Sequence, residues 1–87
     1  MQIERIEAMA ERYDAEEFRR QRDDIAFVRV SRERLVDLLF HLRDVAGYTH
    51  LVFLTAVDLL ETDRFRLIYM LHNYEERHDI GVEVDIP

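Results

Sequence analysis

The pattern of apolar and polar positions first predicts two amphipathic helices. Apolar residues recur at helical spacing over residues 2–13 and again over residues 32–46. Because an α-helix repeats every 3.6 residues, each run places its apolar side chains on one face. Ser31 precedes the second run at the N-cap position, and Gly47 follows it, where a helix commonly ends. We therefore predict one helix over 2–13 and a second that runs from Ser31 to about residue 46.

Four shorter stretches have the composition of β-strands. Residues 25–30, 64–74 and 79–86 alternate between apolar and polar positions, whereas residues 48–60 are apolar at almost every position. A strand that is apolar on both faces is usually covered on both sides. We therefore expect 48–60 to be a central strand. The clean alternation of 79–86 predicts a half-exposed strand, at an edge or covered on one side only.

The order of these elements predicts an α+β domain with the arrangement α-β-α-β-β-β. The last three strands are joined by short turns, which favours an antiparallel sheet of three to four strands with the helices packed on one face. Residues 14–24 are densely charged and are predicted to be a solvated connector or an extension of the first helix. We expect one domain over 1–87, with a helical N-terminal segment (1–24) and an α+β core (25–87).

Composition excludes several classes of function. The net charge of −7 and the interleaving of arginines with acids disfavour binding to nucleic acid. The absence of cysteine excludes disulfides, zinc–thiolate sites and iron–sulfur ligation in this chain. The longest apolar stretch, Leu51 to Leu60, is about half as long as a membrane span. No signal peptide is evident, so we expect a cytoplasmic protein without direct membrane insertion.

Few residues could carry catalysis or bind a cofactor. Ser31 is the only serine, and helix capping already explains it. His72 and His78 flank one predicted turn and could face each other, but a metal site needs three or four converging ligands. The further candidates considered are Glu75 and Asp79. We therefore predict no catalytic, cofactor-binding or metal-binding residues and no bound cofactor.

Three residues stand out as candidates for a protein interface. Val36 and Phe40 lie to one side of the main leucine stripe of the second helix. Either the first helix covers them, or they form an exposed patch for a partner. Asp58 is the single acid in the apolar stretch 48–60. It could accept hydrogen bonds from the following turn, pair with Arg64 or Arg66, or contact a partner protein.

The second half of the chain resembles a known family. "LTAVD" (54–58), "RFRLIYML" (64–71) and a final strand that ends in "VDIP" (84–87) follow the helix in the expected order. Together they resemble the N-terminal domain of the C-type subunit of respiratory NADH dehydrogenase (complex I) and of related membrane-bound hydrogenase subunits. The resemblance extends over about residues 25–87.

This resemblance implies a non-catalytic scaffold or assembly subunit of an NADH:quinone oxidoreductase-like complex. Such subunits hold no redox cofactor and pack against the subunit that forms the quinone site, or against its hydrogenase counterpart. Thr55 and Asp58 would occupy family-type positions with structural or interface roles. The chain would then lie at the inner face of the cell membrane through its partners.

Two alternatives stay open at this point. Longer members of the family continue with a segment rich in acids, aromatics and glycine, which this sequence does not contain. We therefore expect either the N-terminal domain of a longer protein or a short relative. The chain could also be a stand-alone α+β binding module, or a homodimer when isolated, with a ligand held between helices and sheet.

Overall fold

The computed structural model describes residues 2–87 and the side chains of residues 5–87, and within this range two helices pack on one face of a five-stranded sheet. In chain order the elements are α1 (Gln2–Arg12), β1 (Glu17–Arg22), β2 (Ile25–Arg29), α2 (Arg32–Asp44), β3 (His50–Leu59), β4 (Arg64–Asn73) and β5 (His78–Ile86). The predicted α+β class, with helices on one face, is confirmed.

The sheet has the strand order β1-β2-β5-β4-β3. Strands β3, β4 and β5 form the predicted antiparallel meander, and β1 pairs antiparallel with β2. Strand β2, however, pairs in parallel with β5, from Ile25 opposite Asp79 to Arg29 opposite Glu83. The prediction of three to four antiparallel strands is therefore wrong in strand number and in this one pairing.

Strand β1 is the additional element, and it lies where the sequence predicted a charged connector. Helix α1 ends at Arg12, and the chain turns through Asp14, which has a φ of 55°. The following segment then pairs with β2, with Phe18 opposite Val28. Phe18 packs against the core, while Arg19 on the other face binds Glu83. The helical segment predicted over 1–24 therefore stops near its middle.

The core lies between the two helices and strands β2 and β5. Its buried members come from both helices, from β2, β4 and β5, and from two connecting segments: Ile6, Met9, Ala10, Val28, Val30, Leu38, Leu42, Tyr48, Leu71, Ile80 and Val82. Strand β5 is central and largely buried, so the prediction that it is half exposed is wrong. The polar side chains that suggested exposure are satisfied by arginines, because Glu83 pairs with Arg19 and Asp85 pairs with Arg66.

Both ends of α2 follow the local signals in the sequence. Ser31 occupies the N-cap position with extended backbone angles, although its side chain makes no capping hydrogen bond. The helix ends at Asp44, two residues earlier than predicted, and Gly47 reverses the chain with a φ of +88°. Immediately afterwards the Tyr48 amide donates to the Leu42 carbonyl at 2.8 Å. This turn directs the chain into β3.

Candidate functional site

Strand β3 is an edge strand, and nine of its ten residues are exposed. It is nevertheless the most continuously apolar element of the chain, with the sequence HLVFLTAVDL. The prediction that this stretch forms a central, covered strand is therefore wrong. The helices pack over β2 and β5 and leave β3 uncovered, so an apolar strand faces solvent on both sides.

A β-bulge at Val52 determines which β3 side chains share a face. Leu51 lies opposite Leu71, whereas Phe53 lies opposite Met70, so the register shifts between them. Directly opposed residues in an antiparallel pair point to the same face. Leu71 is part of the core, and Leu51 therefore lies on the helix-bearing face of the sheet, together with Leu54, Ala56 and Asp58 further along. Phe53, Thr55 and Val57 point to the opposite, open face.

On the helix-bearing face, β3 continues into an apolar groove beside α2. Val36 and Phe40 of α2 are 57% and 49% exposed, so α1 does not cover them. The groove has a volume of about 310 Å³ and runs between these two side chains, Leu51 of β3, and Tyr69 and Leu71 of β4. Both α2 candidates therefore belong to the same exposed surface as the amino end of β3.

The open face of the sheet is divided into a charged half and an apolar half. On the charged half, Arg19 donates to Glu83 at 3.0 and 3.2 Å, and Arg66 donates to Asp85 at 2.6 and 3.1 Å. The Arg66 guanidinium holds the pKa of the Asp85 carboxyl below its ordinary value, and the bond to Glu83 raises the pKa of Arg19. The apolar half consists of Phe53, Val57, Ile68 and Met70, with the exposed candidate Thr55 among them.

Asp58 is exposed, and its side chain makes no hydrogen bond or ion pair with any side chain or backbone group in the described range 5–87. Of the alternatives left open by the sequence, neither the pairing with Arg64 or Arg66 nor hydrogen bonds from the following turn are present within this range. Asp58 lies opposite Phe65, on the helix-bearing face, while Arg66 points to the open face and binds Asp85. Arg64 donates to the Asp85 carbonyl at 3.5 Å. An unpaired acid at the end of an apolar strand is thus available to another molecule.

The histidines that flank the last turn lie on opposite faces of the sheet. His72 Nδ1 is 2.5 Å from Asp79 Oδ1 on the open face. His78 is buried on the other side, where its Nδ1 lies 2.8 Å from the Tyr48 hydroxyl, and burial lowers its pKa. The described side chains include no group of three or more histidine, cysteine, aspartate or glutamate residues that could hold a metal ion.

Sequence reasoning missed the pairing of Tyr48 with His78, because 30 residues separate them and no local pattern links them. It also missed the role of Leu51, Phe53 and Leu54 as a surface. The available signal is the lack of charged residues over 51–57, which predicts burial but does not say that this chain supplies the cover. Across the described residues, no helix is long and apolar enough to cross a membrane.

Comparisons with known proteins agree with this architecture. A search of curated proteins finds no significant match. Among solved structures, the fold is similar to a chain in the membrane-bound sulfane sulfur reductase, an archaeal respiratory membrane complex, with a TM-score of 0.83 and 26% identity. The similarity covers 97% of this chain and 49% of that chain. This chain therefore spans about half the length of its structural relative.

The family comparison reaches the same result from sequence. The family described as "Respiratory-chain NADH dehydrogenase, 30 Kd subunit" matches residues 28–87. This range is well over half of the chain and contains α2, β3, β4 and β5 in full. The resemblance seen in the sequence is confirmed, and the chain belongs to the family of the 30 kDa subunit of respiratory-chain NADH dehydrogenase.

Proposed function

We propose that this chain is a non-catalytic scaffold domain of an NADH:quinone oxidoreductase-like respiratory complex. The observation that carries the proposal is the β3 surface, which we define as the exposed side chains of Leu51, Phe53, Leu54 and Val57 with the adjoining Val36 and Phe40 of α2. Each of these six apolar residues is more than 40% exposed. Exposed apolar side chains in this number, on both faces of one edge strand and on the adjoining helix, typically mark a protein–protein interface.

Energetic reasoning supports an interface role. Transfer of apolar surface out of water contributes about 25 cal/mol per Å². Burial of six large apolar side chains against a partner therefore contributes a substantial favourable free energy. Without a partner, the same exposed edge strand would promote aggregation. The groove beside α2 also allows shape complementarity, since its volume of about 310 Å³ can receive an apolar side chain of the partner.

Family membership supports the choice of partner. The proposed partner is the subunit that forms the quinone site, and the docked complex would lie peripherally at the inner face of the membrane. Thr55 and Asp58 belong to this interface in the proposal because both are exposed on β3, one on each face of the sheet. The domain would contribute contacts, and the redox chemistry would belong to its partners.

A second candidate is a subunit of a membrane-bound hydrogenase-type complex. The observation that favours it is the structural similarity over 97% of this chain to a chain of the archaeal sulfane sulfur reductase. Both candidates use the same surface, and they differ in the identity of the catalytic partner that covers it.

Site-specific photo-cross-linking in the source organism tests the proposal. A photoreactive residue would replace Leu54, which is 52% exposed on β3, in the natural gene product. The same residue at Glu7, which is exposed on α1, provides the control. We expect the Leu54 probe, but not the Glu7 probe, to cross-link to a catalytic subunit of a dehydrogenase or hydrogenase complex, whose identity decides between the two candidates. A chain that migrates as a free monomer or homodimer, without such cross-links, would instead favour a stand-alone module.

A further inference from the structure

The two edges of the sheet differ in how they are protected against pairing with another chain. Strand β1, at one edge, has the sequence EFRRQR and carries a register irregularity between Arg20 and Arg22. Short length, charged side chains and bulges are the usual means by which edge strands avoid intermolecular pairing. The β1 edge is thus protected by its own sequence.

Strand β3, at the other edge, has none of the same charge protection. It extends over ten residues, contains no proline, lysine or arginine, and has Asp58 as its single acid. Within residues 2–87, no strand pairs with its outer side. The backbone N–H and C=O groups on that side therefore form an open ladder along most of the strand, since the Val52 bulge lies close to its amino end.

The apolar side chains of β3 indicate the shape of the occupant. Leu51 and Leu54 are exposed on the helix-bearing face, and Phe53 and Val57 are exposed on the open face. A helix laid on one face would leave the other face and the ladder in water. A strand added to the edge completes the ladder, and the body of the protein that supplies it can cover both faces.

The distribution of charge indicates that the occupant is a different protein. The acids Asp58, Glu61 and Asp63 lie at the carboxyl end of β3 and in the turn after it, and residues 50–63 contain no lysine or arginine. A second copy would bring no formal cation along its own β3 and would add another net charge of −7. A partner with arginine or lysine beside its strand would instead complement the acidic end.

From these observations we infer that β3 accepts an added strand from a different protein, and that this strand carries an arginine or lysine where it meets Asp58. The inference rests on the proposed function, because it specifies how the scaffold domain docks. The added strand extends the sheet from five strands to six across the interface.

Hydrogen–deuterium exchange tests the inference on the complex that co-purifies with this chain, tagged at Met1, from solubilised membranes. Amides on the outer side of β3 alternate with those bonded to β4. We expect the outer amides to exchange at least 100-fold more slowly in the complex than in the free chain. Unchanged exchange of these amides in a complex that contains respiratory subunits would overturn the inference while leaving the proposed function intact.

Charge reversal provides the second measurement. We expect Asp58→Arg to lower the yield of co-purified partner at least tenfold at low salt. Glu11→Arg, an equal change in charge at an exposed position of α1, should alter the yield less than twofold. Equal effects of the two variants would contradict the predicted contact.

The mass of the purified assembly distinguishes the occupants. A β3-paired homodimer would overturn the inference of a different protein. Protection of β3 by a protein unrelated to respiratory complexes would instead retain the inference and reject the proposed function.

Discussion

Asn73 connects two loops that close the core, and its replacement by alanine should destabilise the fold strongly. Its Nδ2 donates to the Ala46 carbonyl at 2.9 Å, in the chain reversal after α2. Its Oδ1 accepts from the amides of Glu75 at 3.0 Å and Glu76 at 3.1 Å, in the turn between β4 and β5. Asn73 is only 3% exposed, so water cannot easily replace these bonds.

The magnitude follows from these three hydrogen bonds. A typical intramolecular hydrogen bond contributes about 1 kcal/mol, and a buried partner left unsatisfied costs more. Asn73→Ala should therefore lower the free energy of unfolding by roughly 2–4 kcal/mol. For a domain of this size, each 1 kcal/mol corresponds to about 4–8 °C in Tm.

Two further variants make the test specific. Asn73→Asp keeps an acceptor for both turn amides, but it buries a charge and places a carboxylate oxygen against the Ala46 carbonyl, so it should cost at least about 2 kcal/mol at neutral pH. Glu75→Ala changes an exposed side chain in the same turn and should cost less than about 0.5 kcal/mol. Urea denaturation followed by circular dichroism measures all three. A loss below about 0.5 kcal/mol for Asn73→Ala would refute the reasoning.

Three other predictions follow from the same structure. Gly47→Ala should cost about 1–2 kcal/mol in urea denaturation, because φ is +88° and the new Cβ would lie 3.0 Å from Asn73 Nδ2; an unchanged midpoint would contradict this. Burial lowers the pKa of His78, so its stabilising contribution is present above about pH 6.5 and is lost as the pH falls through its folded pKa. The free energy of unfolding should accordingly decrease below about pH 6.5, and His78→Phe should reduce that slope, whereas equal slopes would argue against it. Leu54→Lys should change stability by less than about 0.5 kcal/mol while lowering the binding of a hydrophobic dye, and a larger loss of stability would show that other parts of this chain cover β3.

Signals between neighbouring residues predicted the local structure of α2 and the turn after it. Ser31 and Gly47 bracket the helix because N-capping and left-handed backbone conformations depend on residues close in sequence. Strand β1 was missed for the opposite reason. Its charges indicate solvent when considered alone, yet Phe18 reaches the core and Arg19 finds Glu83, 64 residues away. A contact between residues so far apart in sequence does not change the pattern of apolar and polar residues in either segment.

Long-range pairing also explains why the positions of β3 and β5 in the sheet differ from the predicted ones. Each strand was assigned from its own hydrophobicity, but its position in the sheet depends on the parallel pairing of β2 with β5. This pairing places β5 in the middle, where arginines from β1 and β4 neutralise its acids. Since the meander continues from β5 through β4, β3 is left at the edge.

A continuously apolar strand predicts that its side chains are buried, but it does not say whether the same chain or another protein buries them. In β3, the prediction of two covered faces and the observation of two exposed faces are compatible if the cover comes from another polypeptide. The long apolar ladder of β3 fits this explanation, because a long, apolar edge strand is not expected to stay in water. The contrast with β1 lies in charge: β1 carries charged side chains along most of its length, whereas β3 has only Asp58, so charge protects one edge of the sheet and not the other.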